Sequence, residues 1–477
     1  MLIESSWYSL DINNFDNYST NSDLIFSNDD HIVSFQTSDL IRTFNSNGSS
    51  LPNIIDLESF DKQMSQEGKD IRSFENWKAI SMLKYHKKIG NDYKLSPTTF
   101  KDFLEQIATY YINHIENNVD EIERFDVIEA KINKIIYERQ KLGLSVNKVI
   151  AEEKVRTIEK EIYRIKNILQ LEYKIFMPDN HKQQFEWLNK KGYKVFDSLV
   201  DSFKVRKDHD PVCKLFYDLN RLECDLDSML YILGRWGGES KVYPSFHGFG
   251  TITSRITLRE PALQNFKKEN RCIIVPEVGK KFLYVDYSQF EAGILAALSK
   301  EEQLIKLYND DIYRDLAAYV YNDGAKRSDA KILFYRFMYG DKTLGKKEKK
   351  EILYFNKFKK LIDYKKKIEN EINDKKCIGT SLGNNRVCYG DGECIWGLSH
   401  IIQATASLIF KRVLIRVNEE AKDAEFLIPM HDAALYQISE FSYDDCKEKI
   451  IEIFKDEFKK ECPEIIPRVN CNDFYTE

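Results

Sequence analysis

The nine cysteines of this 477-residue chain include no C-x-x-C pair. That argues against a zinc site, whose tetrahedral ligands come clustered, and suits a reducing compartment. No apolar run opens the chain as a signal peptide would, and none reads as a membrane span, so the expected setting is cytoplasmic, in a bacterial or phage-infected cell. Solenoid-type repeats are absent. Glycine and proline are nearly missing between Phe100 and Leu171, where charged and apolar residues alternate at helical spacing. This stretch is expected to form long amphipathic helices, a helical hairpin or a connector. Positive charge is short overall, at a net −5, which is unusual for a partner of nucleic acid. The first 74 residues hold 12 acidic and 4 basic groups, however, so the remainder is at +3. Residues 323–367 carry 15 basic against 6 acidic groups, enough to line a phosphate path.

With 43% hydrophobic residues the chain can build two to four packed subdomains. Residues 1 to about 95 mix short apolar runs, Leu24-Ile25-Phe26 and His31 to Phe35, with the Asn/Ser-rich turn Asn45 to Ser50, suggesting a small α/β domain. Chemistry concentrates in three later segments. The strand-like run Phe282 to Val285 delivers Asp286 to its end, and Leu427 to Met430 delivers His431-Asp432 before a second apolar run, which predicts a hairpin with the carboxylate at its tip. Two carboxylates at neighbouring strand ends can hold two Mg²⁺, and metals about 3.5–4 Å apart serve in-line phosphoryl transfer. In the middle segment Arg327, Lys331, Tyr335 and Tyr339 recur every fourth residue and share one helix face, cationic at one end and aromatic at the other. Cations suit a triphosphate, and a flat ring suits a base or sugar.

These residues closely resemble the A-family DNA polymerases. Asp286-Tyr287-Ser288-Gln289-Phe290-Glu291 matches motif A (D-Y-S-Q-x-E), Arg327, Lys331, Tyr335 and Tyr339-Gly340 match motif B, and His431-Asp432-Ala433 resembles the H-D-E of motif C. Ser254-Arg255-Ile256 with Pro261 to Asn265 is similar to T-G-R-L-S-S-x-x-P-x-L-Q-N, Gln403-Ala404-Thr405-Ala406 to Q-G-T-A, and Phe176 to Gly192 to the thumb segment. The likeness spans about residues 176–477.

The resemblance implies Asp286, Asp432 and the backbone carbonyl of Tyr287 as metal ligands, with Mn²⁺ able to replace Mg²⁺. It places Gln289, Glu291, Tyr313, Arg327, Lys331 and Tyr335 at the nucleotide. Lys331 would serve the α-phosphate and protonate pyrophosphate, and Glu291 would close off the space of a ribose 2′-hydroxyl. Arg255, Gln264, Asn265, Tyr339, Gln403 and His431 are implied at the primer-template, mostly in the minor groove, where a donor can check pair geometry without reading sequence. Ser288 and Glu291 also spell an S-x-x-E capping box. Several positions depart from the family pattern: Ala433 replaces the second acid of motif C, Gly293 a common Arg, Arg336 a common Gly, and Tyr313 stands where a His often contacts phosphate. A restored glutamate at 433 is expected to suit the hairpin tip.

The implied fold is α+β: a right-hand polymerase with an antiparallel palm sheet and helical fingers and thumb, behind a small N-terminal α/β domain. The expected division is an exonuclease-like domain at 1–95, thumb and connector at 96–245, palm at 246–300, fingers at 301–385 and palm again at 386–477. Asp56-Leu57-Glu58 has the D-x-E form of an exonuclease motif without further acidic motifs, so the first domain is expected to be an inactive brace. The expected activity is template-directed DNA synthesis on primer-template DNA from deoxynucleoside triphosphates, without proofreading, by a monomer compatible with a processivity partner and independent of membranes. A template-independent or RNA-templated nucleotidyl transferase, or a non-catalytic DNA-end binding protein, are the alternatives.

Overall fold

The computed structural model describes the chain except residues 1, 4–5, 22–30, 36, 47–49, 67–81, 85, 91, 95, 196–197, 235–239, 342–348, 389–394, 431 and 477. The Leu24–Phe26 run, the centre of the Asn45–Ser50 turn and His431 thus lie outside the described residues. The chain divides into two compact units, one formed by 1–142, 246–258 and 278–474, the other by 143–245, 259–277 and 475–477.

The first unit opens with an antiparallel sheet, β1 (Leu2–Ile3), β2 (Ser6–Asp11) and β3 (Asn14–Asn21). A parallel pair follows, β4 (His31–Ser34) and β5 (Asn53–Asp56), joined through α1 (Thr37–Ser46). Asp56 ends β5 and caps α2 (Leu57–Met64) by accepting from the Ser59 backbone N–H. This α/β lobe is the expected one, but its core does not stop at residue 95. Leu57, Phe60 and Met64 pack with Phe103, Ile107 and Tyr110 of α3 (Phe100–Asn117) and with Phe125. After α3 come α4 (Val119–Arg124), a π-helical turn at Phe125–Glu129, and α5 (Ala130–Leu142). The apolar face of α3 is thus buried on the N-terminal lobe, and 96–142 falls in the same compact unit as that lobe, whereas 143–245 falls in the other.

The second unit is a helical assembly. In α6 (Lys148–Leu171) the buried residues Ala151, Val155, Ile158, Ile162, Ile165 and Leu169 fall at alternating spacings of four and three, a seam of coiled-coil type. The unit continues through α7 (His181–Lys190) and α8 (Leu199–Lys204) to α9 (Pro211–Gly234), which lies against α6. The hairpin expected within 100–171 is thus replaced by a pairing of α6 with α9, which lies outside that stretch, and Gly143, at φ +70°, ends α5.

The rest of the first unit surrounds a four-stranded antiparallel sheet of order β9-β10-β6-β11, made of β6 (Lys280–Tyr287), β9 (Ala424–Met430), β10 (Ala433–Ser439) and β11 (Val469–Asn472). Pro429 sits in β9, an edge strand, where a missing N–H breaks no interior ladder. Between β6 and β9 the chain forms α10 (Phe290–Ser299), α11 (Glu302–Asp310), α12 (Ile312–Tyr321), α13 (Arg327–Met338), α14 (Lys349–Asn356) and α15 (Lys359–Lys375), the hairpin β7 (Cys377–Thr380) and β8 (Gly383–Val387), and α16 (Gly397–Glu420). α16 is long and apolar enough to cross a membrane, at mean hydropathy 1.3, but 83% of that stretch is buried within the molecule, against α10, α15 and β9. α17 (Tyr443–Glu461) packs on β6, β10 and β11.

Candidate active site

Antiparallel register brings the two motif carboxylates together. Asp286, next to last in β6, lies opposite Ala433, the first residue of β10, and Asp432 precedes Ala433 in the two-residue link from β9. Direct partners in such a ladder have Cα atoms about 4.5–5.5 Å apart, so Asp432 is one residue off the Asp286 rung. The Tyr287 side chain turns into the core. It donates to the Phe454 carbonyl at 2.6 Å and stacks on Phe290 at 4.2 Å between centroids, which leaves only its backbone for a metal. Two carboxylates and a carbonyl are hard oxygen donors of the kind Mg²⁺ takes. Among the described residues no three His, Cys, Asp or Glu side chains gather at one point.

Arg255 and Glu291 flank the pair. Arg255 Nη2 donates to Glu291 Oε1 at 2.5 Å and lies 3.6 Å from Asp432 Oδ1. Glu291 is 3% exposed, and among the described residues its Oε2 has no hydrogen-bond partner. Burial and then the nearby Asp432 charge push its carboxyl up to about 7, against the pull of Arg255. Burial alone would lower the Arg255 guanidinium, but the Asp432 and Glu291 carboxylates more than offset it and hold it above its ordinary value.

The expected capping box is not formed. The N-cap of α10 is Gln289, in the left-handed region at φ +54°, without a side-chain capping bond, and the Glu291 carboxylate that would complete the box is held by Arg255. Gln289 is itself buried and engaged at both ends of its amide, accepting from Ile312 N–H at 2.9 Å and donating to the Tyr308 carbonyl at 3.5 Å. It fastens the end of motif A to the start of α12.

On α13, Arg327 and Lys331 are exposed, Tyr335 is half-buried and Tyr339 forms the C-cap. Gly340 closes the helix at φ +70°, where an added Cβ would meet the Ile395 carbonyl oxygen at 3.0 Å. Arg327 is not left uncompensated: its Nε donates to Asp311 Oδ2 at 2.6 Å, and the same Asp311 caps α12. Among the described residues Lys331 has no carboxylate partner, and its ammonium sits 6.0 Å from the ring centroids of both Tyr313 and Tyr335. Burial raises the phenols of Tyr313 and Tyr335, and both also feel the charges of Glu291 and Asp432. The aromatic end of α13 is therefore within electrostatic reach of the carboxylates. Tyr339 accepts from Gln403 Nε2 of α16 at 2.8 Å. Gln264, half-buried, and Asn265, exposed, lie in the second unit on a 3₁₀ turn.

Sequence reasoning missed Asp311, although an aspartate immediately before the helical run Ile312 to Tyr321 is a readable cap signal. It also missed Arg124, Glu129 and Lys411, which are buried, with Arg124 bonded to Ser254 beside Arg255, and whose pairing no local pattern announces.

Strand-end carboxylates on an antiparallel sheet, in one compact unit with a cation–aromatic helix face, fit the palm and fingers of a right-hand polymerase. A model of DNA polymerase family A matches residues 138–467, and the chain belongs to that family. Among its relatives, DNA polymerase I of Caldicellulosiruptor bescii is 25% identical over 401 residues, covering 72% of this chain and 46% of that protein. DNA polymerase I of Borreliella burgdorferi is 28% identical over 365 residues, covering 65% of this chain and 39% of that one. The chain thus matches less than half the length of these relatives. The POL domain of Pol1 from M. smegmatis, solved in complex with DNA primer-template and dNTP, has the same fold, with a TM-score of 0.73 at 16% identity over 92% of this chain and 84% of that one.

Proposed function

We propose that this chain is a template-directed DNA polymerase, adding deoxynucleotides to a primer 3′-OH and releasing pyrophosphate. The observation that carries the reading is the meeting of Asp286, Asp432, Arg255 and Glu291 with the α13 face inside one compact unit. Asp286, Asp432 and the Tyr287 carbonyl would hold two Mg²⁺, or Mn²⁺ in their place. Such a pair, when bound, activates the attacking oxygen and stabilises the leaving one. Lys331, without a carboxylate ion pair among the described residues, binds the α-phosphate region and supplies a proton to the departing pyrophosphate. Arg327 exchanges Asp311 for the triphosphate, an anion of higher charge. Tyr335 stacks on the nascent pair with Tyr313 behind it, and Gln289 serves through the backbone of Ile312. Glu291 fills the space beside C2′ and so selects the deoxy sugar. Arg255, Tyr339 and Gln403, with Gln264, Asn265 and His431, contact the primer-template.

The N-terminal lobe acts as a brace without proofreading. Asp56 accepts from Thr37 Oγ1 at 3.0 Å and Ser59 Oγ at 2.7 Å, and Glu58 accepts from the buried Lys62 at 2.6 Å. Burial, then the Glu58 charge, raise the Asp56 carboxyl. The test is primer extension with Mg²⁺ or Mn²⁺ on DNA and RNA templates and on a bare single strand, scoring 3′-end degradation in the same lanes. Extension on the DNA template without degradation is expected. DNA binding without metal-dependent extension would overturn the reading.

A further inference from the structure

Linked to Ser254, the residue before Arg255, is a buried ionic cluster that no motif contains. Arg124, Glu129 and Lys411 are 0%, 3% and 0% exposed. Glu129 accepts from Arg124 Nε at 3.0 Å and from Lys411 Nζ at 2.5 Å. Arg124 spends its other two nitrogens on the Leu382 carbonyl and on Ser254 Oγ, each at 2.8 Å. Ser254 is fully buried and sits at φ +57°, a conformation that costs a serine free energy and a glycine none. It is held there from two sides: Ser407 Oγ of α16 donates to its carbonyl at 2.8 Å and lies 3.1 Å from its hydroxyl. The next residue is Arg255, which grips Glu291 beside Asp432.

Arg124 and Glu129 precede residue 138, where the match to the polymerase family begins. They stand on α4 and the π-turn after it, and Glu121, also on α4, ties the hairpin strand β8 to the N-terminal lobe. Its carboxylate accepts from Asn384 N–H at 3.1 Å, Asn385 N–H at 2.7 Å and Gln63 Nε2 at 3.1 Å. Removing one member of a buried charge group leaves an unpaired ion, so each member of the cluster is held by the cost of losing its partners.

We propose that Ser254, fixed by the Arg124–Glu129–Lys411 cluster, is a positioning residue for the polymerase centre: it sets the Arg255 guanidinium against Glu291, and a segment upstream of the family match thereby determines sugar selection. This rests on the function proposed above. Arg255 is the contact that orients Glu291, and Glu291 is the group that would meet a 2′-hydroxyl. Loss of the Ser254 hydroxyl therefore changes the choice between ribo- and deoxynucleotide, whereas damage to folding alone lowers both rates together.

The experiment measures kcat and KM for a deoxynucleotide and its ribonucleotide in single-nucleotide primer extension, with melting curves, for wild type, Ser254→Ala, Ser254→Gly, Ser407→Ala and Arg124→Lys. The expected result is a rise of about tenfold in the ribo-to-deoxy ratio of kcat/KM, the size that follows loss of an orienting partner, in Ser254→Ala and in Arg124→Lys, which keeps the charge but loses the arm to Ser254. Ser254→Gly relieves the backbone and still lacks the hydroxyl, so it should share the changed ratio. Should Arg124→Lys fail to fold, Ser407→Ala, which removes only neutral bonds, takes its place. Unchanged ratios in folded Ser254→Ala and Ser407→Ala overturn the inference and leave the proposed function standing. A wild type that extends no primer overturns both.

Discussion

Asp286 and Asp432 owe their meeting to a register in which a one-residue slip would turn each carboxylate to the other face of the sheet. Both stand at strand ends, Asp286 half-buried and Asp432 3.6 Å from Arg255 Nη2, so their replacement is expected to remove function with little change in the fold. Asp286→Ala or Asp432→Ala should lower extension by roughly 10²–10³-fold or more, with melting temperature and DNA binding near wild type. Near-normal extension by either variant would refute the assignment of the carboxylates. Ala433 leads to a different expectation from the one its sequence context suggests. It is fully buried in β10 with Asp286 opposite, so the space a family glutamate would use is closed. Ala433→Glu should destabilise by about 1–3 kcal/mol from overpacking alone, with a further cost for the charge, and should not reduce the Mg²⁺ needed for half-maximal extension. A variant that melts like wild type and needs less metal would show that the hairpin tip has room.

Among the elements, α10 explains one departure from the family. A Cβ on Gly293 would come 2.7 Å from Tyr308 Cε2 and 3.0 Å from Phe458 Cζ, so those two rings occupy the place an arginine side chain would need. Tyr308 also donates to the Ser288 carbonyl at 3.2 Å, which couples the packing of α10, α11 and α17 to the segment that carries motif A. Gly293→Ala should therefore cost about 1–3 kcal/mol, read by denaturant or thermal unfolding, and should slow extension more than its loss of folded population accounts for. An unchanged midpoint would mean that Tyr308 can swing aside. The cap at Asp311 shows the same economy: one carboxylate starts α12 and holds Arg327 across to α13.

At the scale of the whole molecule, the buried cluster should leave a mark on pH dependence. Burial lowers the Lys411 ammonium to about 8, against the opposing charge of Glu129, while the unfolded chain keeps it near the ordinary 10.5. Between those values the unfolded state binds more protons, so this group adds stability as pH rises from about 8 towards 10.5 and withdraws it as pH falls back through 8. Replacing both partners, as Glu129→Gln with Lys411→Met, should flatten that rise relative to wild type in unfolding measurements across the window. Parallel curves would place the Lys411 proton elsewhere.

How much of this was legible in the sequence depended on the range of the interactions. Asp286 and Asp432 at strand ends, the hairpin between β9 and β10 and the α13 face at spacing four are local patterns, set by backbone periodicity and side-chain alternation, and the sequence determined them. Composition and spacing also determined the long helices and the small α/β lobe. Only the tertiary structure decided that α3 belongs with that lobe, because burial of Phe103 and Ile107 depends on residues more than forty positions earlier. It likewise decided that Glu291 turns to Arg255 instead of capping its own helix, since a charged partner nearby outweighs a local backbone bond. The Arg124–Glu129–Lys411 cluster joins side chains 282 positions apart. A lone buried charge is too costly to stand, yet which opposite charge will meet it is fixed only once the chain has folded around both.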